Sequence, residues 1–142
     1  MGFLDWFKST PEDSEETQLD LLNSSSQPIR GRVDGAIIRK DFTRAIQEGG
    51  GDDQAQANST AGMTRELFDC EVRDLYRETG GKRGDRTSLP AEAQKAYMVG
   101  ETVATHDLKQ AGKFDGNQQQ VNRQIEDTVV DSSKKVRKLF PW

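Results

Sequence analysis

The chain has 142 residues, enough for one domain of ordinary size with an additional arm and too few for two independent cores. Only 32% of its residues are apolar, and its formal net charge is −4 at pH 7. A general polyanion binder needs a surplus of lysine and arginine on one face, so the overall charge argues against that class. The acidic excess belongs to residues 1–62, with six basic and eleven acidic residues, whereas residues 63–142 hold fourteen basic and thirteen acidic residues.

The cysteine content and the hydropathy pattern indicate the cellular compartment of the protein. The single cysteine, Cys70, cannot form an internal disulfide, and its place in a helical pattern suggests a buried small apolar residue. No run of eighteen apolar residues predicts a membrane span. The N-terminus lacks the basic start and the long apolar core of a signal peptide. We therefore expect a cytoplasmic protein without a membrane span.

Residues 1–28 are predicted to form an acidic, flexible and partly disordered arm that contains short apolar peptides. The first of these places Phe3, Trp6 and Phe7 within seven residues, which is too short for a stable isolated helix. These aromatics are candidates for docking onto a protein partner. The alternative, which we favour, is a terminal turn that folds back onto an apolar surface of the domain. The surrounding acids argue against a membrane-surface helix, which usually carries a basic face.

A second apolar peptide of the arm consists of Gln18, Leu19, Asp20, Leu21 and Leu22. It resembles the pentapeptide with which bacterial replication and repair proteins dock onto the sliding clamp. In that motif the glutamine hydrogen-bonds at the mouth of a cleft and the leucines fill apolar pockets. Leu22 stands where the motif usually has an aromatic residue. The alternative is that the leucines pack onto the domain or that so short a match arose by chance.

The next two segments are predicted to be a helix over residues 29–48 and a flexible linker over residues 49–62. In the first, Asp34 is a suitable N-cap, and Ile38, Phe42 and Ile46 recur every fourth residue after it. The second contains no apolar residue larger than alanine, a composition typical of a random-coil tether. We expect this tether to separate a front module from the rest of the chain.

Residues 63–142 are predicted to form a helical domain of three helices. The first begins with Thr64 as its cap and ends at Gly80-Gly81. The second begins near Pro90, a residue suited to a first helical turn, and runs to Ala111. Its Gly100 is expected to let another helix approach closely, because a glycine within a helix otherwise costs about 1 kcal/mol relative to alanine.

The third helix is capped by Asn117 and terminated by Pro141. Together with the helix over 29–48, these elements predict an all-α fold, a small domain of three to four helices with a flexible N-terminal arm.

Two basic clusters are candidate contacts with a phosphate backbone or a nucleoprotein filament. The loop between the first two helices of the domain is glycine-rich and carries one of them, and the end of the third helix carries the other, beside two aromatic residues that are candidates for stacking or docking. The alternatives are a solvated loop and cations that favour the negative end of the helix dipole. The first cluster consists of Lys82, Arg83 and Arg86, the second of Lys134, Lys135, Arg137 and Lys138, and the aromatics are Phe140 and Trp142.

A series of short segments runs through the second half of the chain in a definite order. They are Leu67-Phe68, Gly81-Lys82, Leu89-Pro90-Ala91-Glu92, Glu101-Thr102, Leu108-Lys109, Gln118-Gln119-Gln120-Val121-Asn122 and Lys134-Lys135-Val136-Arg137-Lys138. In this order they resemble the C-terminal region of the DNA-damage-inducible protein D family, a bacterial group whose longer members carry a phage-antirepressor-like N-terminal domain. Residues 1–62 depart from that family, since they are too short to contain such a domain. The resemblance implies a connection with the damage response, interaction with a recombinase filament on single-stranded DNA, and no catalytic activity.

The residues that usually perform catalysis are nearly absent from the chain. His106 is the only histidine and Cys70 the only cysteine, so no zinc-ligand spacing and no Ser-His or Cys-His dyad is evident. We therefore expect no enzyme activity, no metal and no cofactor.

The sequence thus predicts a noncatalytic interaction protein of the bacterial or phage DNA damage response, with a recombinase filament or the sliding clamp as its protein partner and weak direct contact with nucleic acid. Two alternatives stay open. One is a small phage-type DNA-binding regulator or antirepressor, and the other is an adaptor or scaffold unrelated to DNA.

Overall fold

The computed structural model of the chain describes residues 2–9 and 27–142, with the side chains of the second range from residue 34 onward. These residues form helices and no strand, which confirms the all-α fold. The helices are α1 (Phe3–Ser9), α2 (Gln27–Glu48), α3 (Asp53–Phe68), α4 (Val72–Thr79), α5 (Ala91–Ala111) and α6 (Gln118–Arg137), and a 3-10 turn spans Arg86–Ser88. The predicted helix over 29–48 is present as α2.

The linker predicted over residues 49–62 is wrong, because most of it belongs to α3. Asp52 caps this helix by accepting a hydrogen bond from the Ala55 amide at 3.1 Å. The small residues that resembled a linker form its buried face, where it packs against α6. At Gly62 an added Cβ would lie 2.8 Å from Cγ2 of Val130, so the close approach of the two helices requires glycine there.

The single helix predicted between Thr64 and Gly80 is instead two helices. The chain leaves α3 at Asp69, which adopts the left-handed conformation with φ 55° and ψ 38°, and α4 begins three residues later. Thr64 is therefore no cap. It lies inside α3, where its hydroxyl hydrogen-bonds to the Thr60 carbonyl at 2.8 Å and to the Tyr97 hydroxyl at 2.6 Å.

The last two helices lie where the sequence places them. α5 follows Pro90, and a Cβ added at Gly100 would lie 3.1 Å from both Met63 Sδ and Leu67 Cδ1 of α3. α6 begins with a capping box in which Asn117 and Gln120 hydrogen-bond each other's backbone amides.

These helices share one hydrophobic core, so no front module stands apart. α6 packs against α3 and α5, and α2 packs against α5. Phe42 and Ile46 of α2 are buried in the same core as the residues of α5 and α6. The division into a front module and a separate domain of residues 63–142 is therefore wrong.

Candidate functional site

The aromatic residues at the two ends of the described chain pack together. Phe3 of α1 is fully buried and contacts Trp142 edge to face, with ring centroids 4.8 Å apart. The indole Nε1 of Trp142 donates to the Leu67 carbonyl at 2.6 Å. Trp6, Phe7 and Phe140 are partly buried around this pair. The structure therefore places Phe3 and Trp142 in the interior, where they cannot act as exposed docking anchors.

The clamp-like peptide Gln18, Leu19, Asp20, Leu21 and Leu22 lies outside the described residues.

The three cations of the basic loop after α4 differ in their surroundings: two are exposed, and one contacts buried residues. Lys82 and Arg83 are exposed, and neither side chain forms an ion pair with a described carboxylate. Arg86 does not belong with them, since its Nη1 donates to Glu101 Oε1 at 2.8 Å and its guanidinium lies 3.9 Å from the ring centroid of Tyr97. Arg86 is therefore engaged inside the fold, unlike Lys82 and Arg83, and its contact with a phosphate stays a prediction.

The basic cluster at the end of α6 also contains both exposed cations and cations with partners in the fold. Lys134 and Lys138 are exposed, and neither pairs with a carboxylate of the described residues. Lys135 donates to Asp107 of α5 at 3.3 Å, and Arg137 is engaged within the chain as well. Partial burial raises the pKa of Asp107, but hydrogen bonds from Ser132 and Lys135 outweigh it and hold the pKa below its ordinary value.

The most unusual residue of the interior is an acid, Glu101 of α5, which is only 1% exposed. Arg39 of α2 donates from Nη1 to its Oε2 at 2.5 Å, and Arg86 donates to its Oε1. A buried carboxylate needs such partners because burial removes its hydration. The cluster links α2, the 3-10 turn and α5.

The sequence did not indicate this cluster. The available signal was a charged residue directly beside Gly100, in the middle of the helix predicted from near Pro90 to Ala111. Nothing in the sequence identified Arg39 and Arg86 as its partners, because they lie 62 and 15 residues away along the chain.

A cavity of about 500 Å³ opens beside the Glu101 cluster. We call it the arginine cleft. Its charged lining residues are Arg39, Arg83, Arg86 and Glu101, and the other residues come from α2, α3, α4, the loop and α5: Gly35, Ala36, Thr60, Val72, Tyr76, Gly84, Thr87, Gln94, Tyr97 and Met98. Burial raises the pKa of Tyr97 to about 12. Burial also raises the pKa of Tyr76, although Arg86 and Arg39 oppose the shift.

A second cavity of about 600 Å³ shares Arg39, Thr60, Val72 and Arg83 with the first. Gln56 of α3 lines it, and both polar atoms of its side-chain amide are buried without a hydrogen-bond partner among the described residues. The same holds for the hydroxyl of Thr60. Buried polar atoms without partners are uncommon in proteins, so these three atoms distinguish the second cavity, which Gln56 and Thr60 line.

Residues with catalytic or metal-binding chemistry are scattered in the described structure. Within residues 2–9 and 27–142, no three acidic, histidine or cysteine residues form a group that could hold a metal ion. His106 is exposed on α5. Burial and the carboxylates of Asp74, Asp69 and Glu71 raise the pKa of Cys70 to about 11, which makes it a poor nucleophile. None of the helices described here is both long and apolar enough to cross a membrane.

Comparison with protein-family models, with curated proteins and with solved structures finds no match to this chain.

Proposed function

We propose that the chain is a noncatalytic, cytoplasmic interaction protein of the bacterial or phage DNA damage response, and that it binds a recombinase filament assembled on single-stranded DNA. The observation that supports this proposal is the exposure of Lys82, Arg83, Lys134 and Lys138, none of which pairs with a carboxylate of the described residues. Such cations are available to donate charge-assisted hydrogen bonds to phosphates or to partner carboxylates.

The balance of charge favours a filament over bare DNA. Affinity for bare DNA grows with the number of phosphates that cations neutralise, and a chain of net charge −4 has no overall surplus of cations to offer. A filament adds a protein surface to the DNA backbone, so the same few cations act together with protein contacts. Lys134 lies in α6 and Lys138 directly follows it, so their backbones are already ordered, which lowers the entropic cost of these contacts.

The experiment is a fluorescence anisotropy titration of labelled full-length protein with bare single-stranded DNA and with recombinase filaments assembled on the same DNA. We expect tight binding to filaments and weak binding to bare DNA. Replacing Lys82, Lys134 and Lys138 together with alanine should weaken filament binding about tenfold or more, whereas the same replacement of the exposed Lys95, Lys109 and Lys113 removes equal charge and should have little effect.

Equal affinity for bare DNA and filaments would contradict the proposal and favour a DNA-binding regulator. Absence of binding to both would favour an adaptor unrelated to DNA.

We further propose that the peptide Gln18–Leu22 recruits the protein to the sliding clamp. The support is the resemblance of this peptide to clamp-docking motifs. Replacing Leu19 and Leu21 with alanine should abolish retention of the protein on immobilised clamp, while the triple variant of Lys82, Lys134 and Lys138 should be retained. Unchanged retention of the leucine variant would refute this half of the proposal and leave the filament half intact.

A further inference from the structure

Beyond filament binding, we infer that the arginine cleft and the adjoining cavity bind one nucleoside monophosphate, either free or as a unit of single-stranded DNA. The volume of about 500 Å³ lies within the range of roughly 300–1,000 Å³ that is usual for small-molecule sites. The inference does not depend on the filament, because a free nucleotide can occupy the cleft whether or not the exposed lysines bind a partner.

The charges of the arginine cleft suit a phosphate. Three arginines and one glutamate line it, so its formal charge is +2; the adjoining cavity adds Arg73, Asp53 and Glu71, and the two together carry +1. Arg39 and Arg86 each use Nη1 for Glu101, and each guanidinium carries further N–H donors. Arg83 lines both cavities, is exposed, and makes no ion pair with a described carboxylate. The phosphate is therefore assigned to Arg83, with Arg39 beside it.

The walls of the cleft suit a planar base. The guanidinium of Arg86 is stacked on Tyr97 at 3.9 Å, and the Arg86 side chain keeps 27% of its surface exposed where it lines the cleft. Guanidinium planes and aromatic rings are common stacking surfaces for nucleobases. Val72 and Met98 add apolar wall. A planar base can therefore stack on the Arg86 guanidinium, a contact that the carboxylates of an acidic peptide do not make.

The atoms without partners suit the edge of a base. Gln56 presents a buried donor, Nε2, and a buried acceptor, Oε1, and Thr60 adds a hydroxyl. A glutamine amide can pair bidentately with a base edge that carries an acceptor and a donor side by side, as the edge of adenine does. Binding of such a base would satisfy polar atoms that otherwise stay buried and unpaired. This is the observation that distinguishes a nucleotide from a simple anion.

The test is calorimetric titration of full-length protein with adenosine 5′-monophosphate, adenosine, inorganic phosphate, a short oligodeoxyadenylate and an acidic peptide. The monophosphate should bind at least about tenfold more tightly than adenosine or phosphate, since each of these lacks one of the two contacts. Gln56→Met removes the amide at similar size, and Arg83→Gln removes the charge. Each should weaken monophosphate binding about tenfold. The controls Gln110→Met and Arg123→Gln change exposed residues and should leave it unchanged.

The same titrations show whether the ligand is a free nucleotide or a unit of single-stranded DNA. Tighter binding of the oligodeoxyadenylate with the same dependence on Gln56 would identify the ligand as a unit of single-stranded DNA, and binding of the monophosphate alone would identify a free nucleotide. Equal affinity for inorganic phosphate, preferential binding of the acidic peptide, no binding of any nucleotide, or no effect of Gln56→Met in a variant with a native circular dichroism spectrum would overturn the inference. The triple variant of Lys82, Lys134 and Lys138 leaves Arg83 in place, so loss of filament binding in that variant with intact nucleotide binding separates the two proposals.

Discussion

Replacing Glu101 with glutamine tests whether the buried cluster holds α2, the 3-10 turn and α5 together. The amide keeps the shape of the side chain, but its oxygen can accept from only one of the two arginines and its NH₂ faces the other. One charge-assisted hydrogen bond, worth about 1.5–3 kcal/mol, is lost. Removing one partner of a buried ion pair costs about 3–5 kcal/mol in general. The Arg39 and Arg86 side chains are 34% and 27% exposed and can regain some hydration. We therefore expect a cost near the lower end of the range of about 3–5 kcal/mol.

We therefore expect the free energy of unfolding to fall by about 3 kcal/mol, a large part of the roughly 5–15 kcal/mol that stabilises a typical domain. With a urea dependence of about 2 kcal/mol per M, the unfolding midpoint should fall by about 1.5 M. The assay is equilibrium urea unfolding at neutral pH, followed by circular dichroism. Glu48→Gln removes a charge from an exposed position on α2 and should change the free energy by no more than about 0.5 kcal/mol.

The reasoning would be refuted if Glu101→Gln lowered the midpoint no further than Glu48→Gln does. A double-mutant cycle gives a second check. Arg39→Met should cost less in the Glu101→Gln background than in the wild-type chain, because the arginine is no longer needed to compensate a buried charge. A coupling energy below about 0.5 kcal/mol would mean that the two side chains act independently.

Four further predictions concern single residues elsewhere in the fold. Ser59→Ala should raise the free energy of unfolding by about 1 kcal/mol in urea, because the buried Ser59 hydroxyl has no hydrogen-bond partner among the described residues, and a decrease would contradict this reading. Trp142→Ala should lower it by about 3 kcal/mol, since the indole is 5% exposed and packs on Phe3; a thermal melt like that of the wild type would be incompatible with this packing. Cys70 should react with iodoacetamide at pH 8 more slowly than the cysteine of an unstructured peptide, because its pKa of about 11 leaves a thiolate fraction on the order of 0.001, and equal rates would exclude the buried thiol. The lowered pKa of Asp107 means that its stabilising contribution is present above its ordinary pKa and is lost as the pH falls through the folded value, so the wild type should lose more stability than Asp107→Asn between pH 5 and pH 2; equal losses would show that Asp107 does not contribute.

The elements that local chemistry defines were predictable from the sequence. Pro90 and Asn117 mark the starts of α5 and α6, because a fixed φ angle and a side-chain cap act within one helical turn. Gly100 indicated the close approach of another helix, because a glycine lowers helix stability and close packing is a reason to have one there. The structure bears out these three predictions. The two helix starts depend on residues within one turn, whereas Gly100 indicated a close approach without identifying Met63 and Leu67 of α3 as the contacts.

The elements defined by packing were not predictable. Residues 49–62 have the composition of a tether, yet their small side chains are what allows α3 to approach α6 at Gly62. Composition alone does not distinguish a flexible tether from a closely packed helix, since small residues are suited both to a solvent-exposed segment and to a close helix contact. The break at Asp69 was missed for a related reason, because apolar residues at helical spacing continue across it: Leu67, Phe68, Val72, Leu75 and Tyr76.

The candidate site shows the same division. The helical pattern and the two clusters of cations follow from the order of the residues alone. The pairing of Arg86 with Glu101, and of Arg39 with the same carboxylate from 62 residues away, follows only from the packing of the helices. The physical reason is that helix formation depends on nearby residues, whereas the partners of a buried charge are chosen by the packing of whole helices.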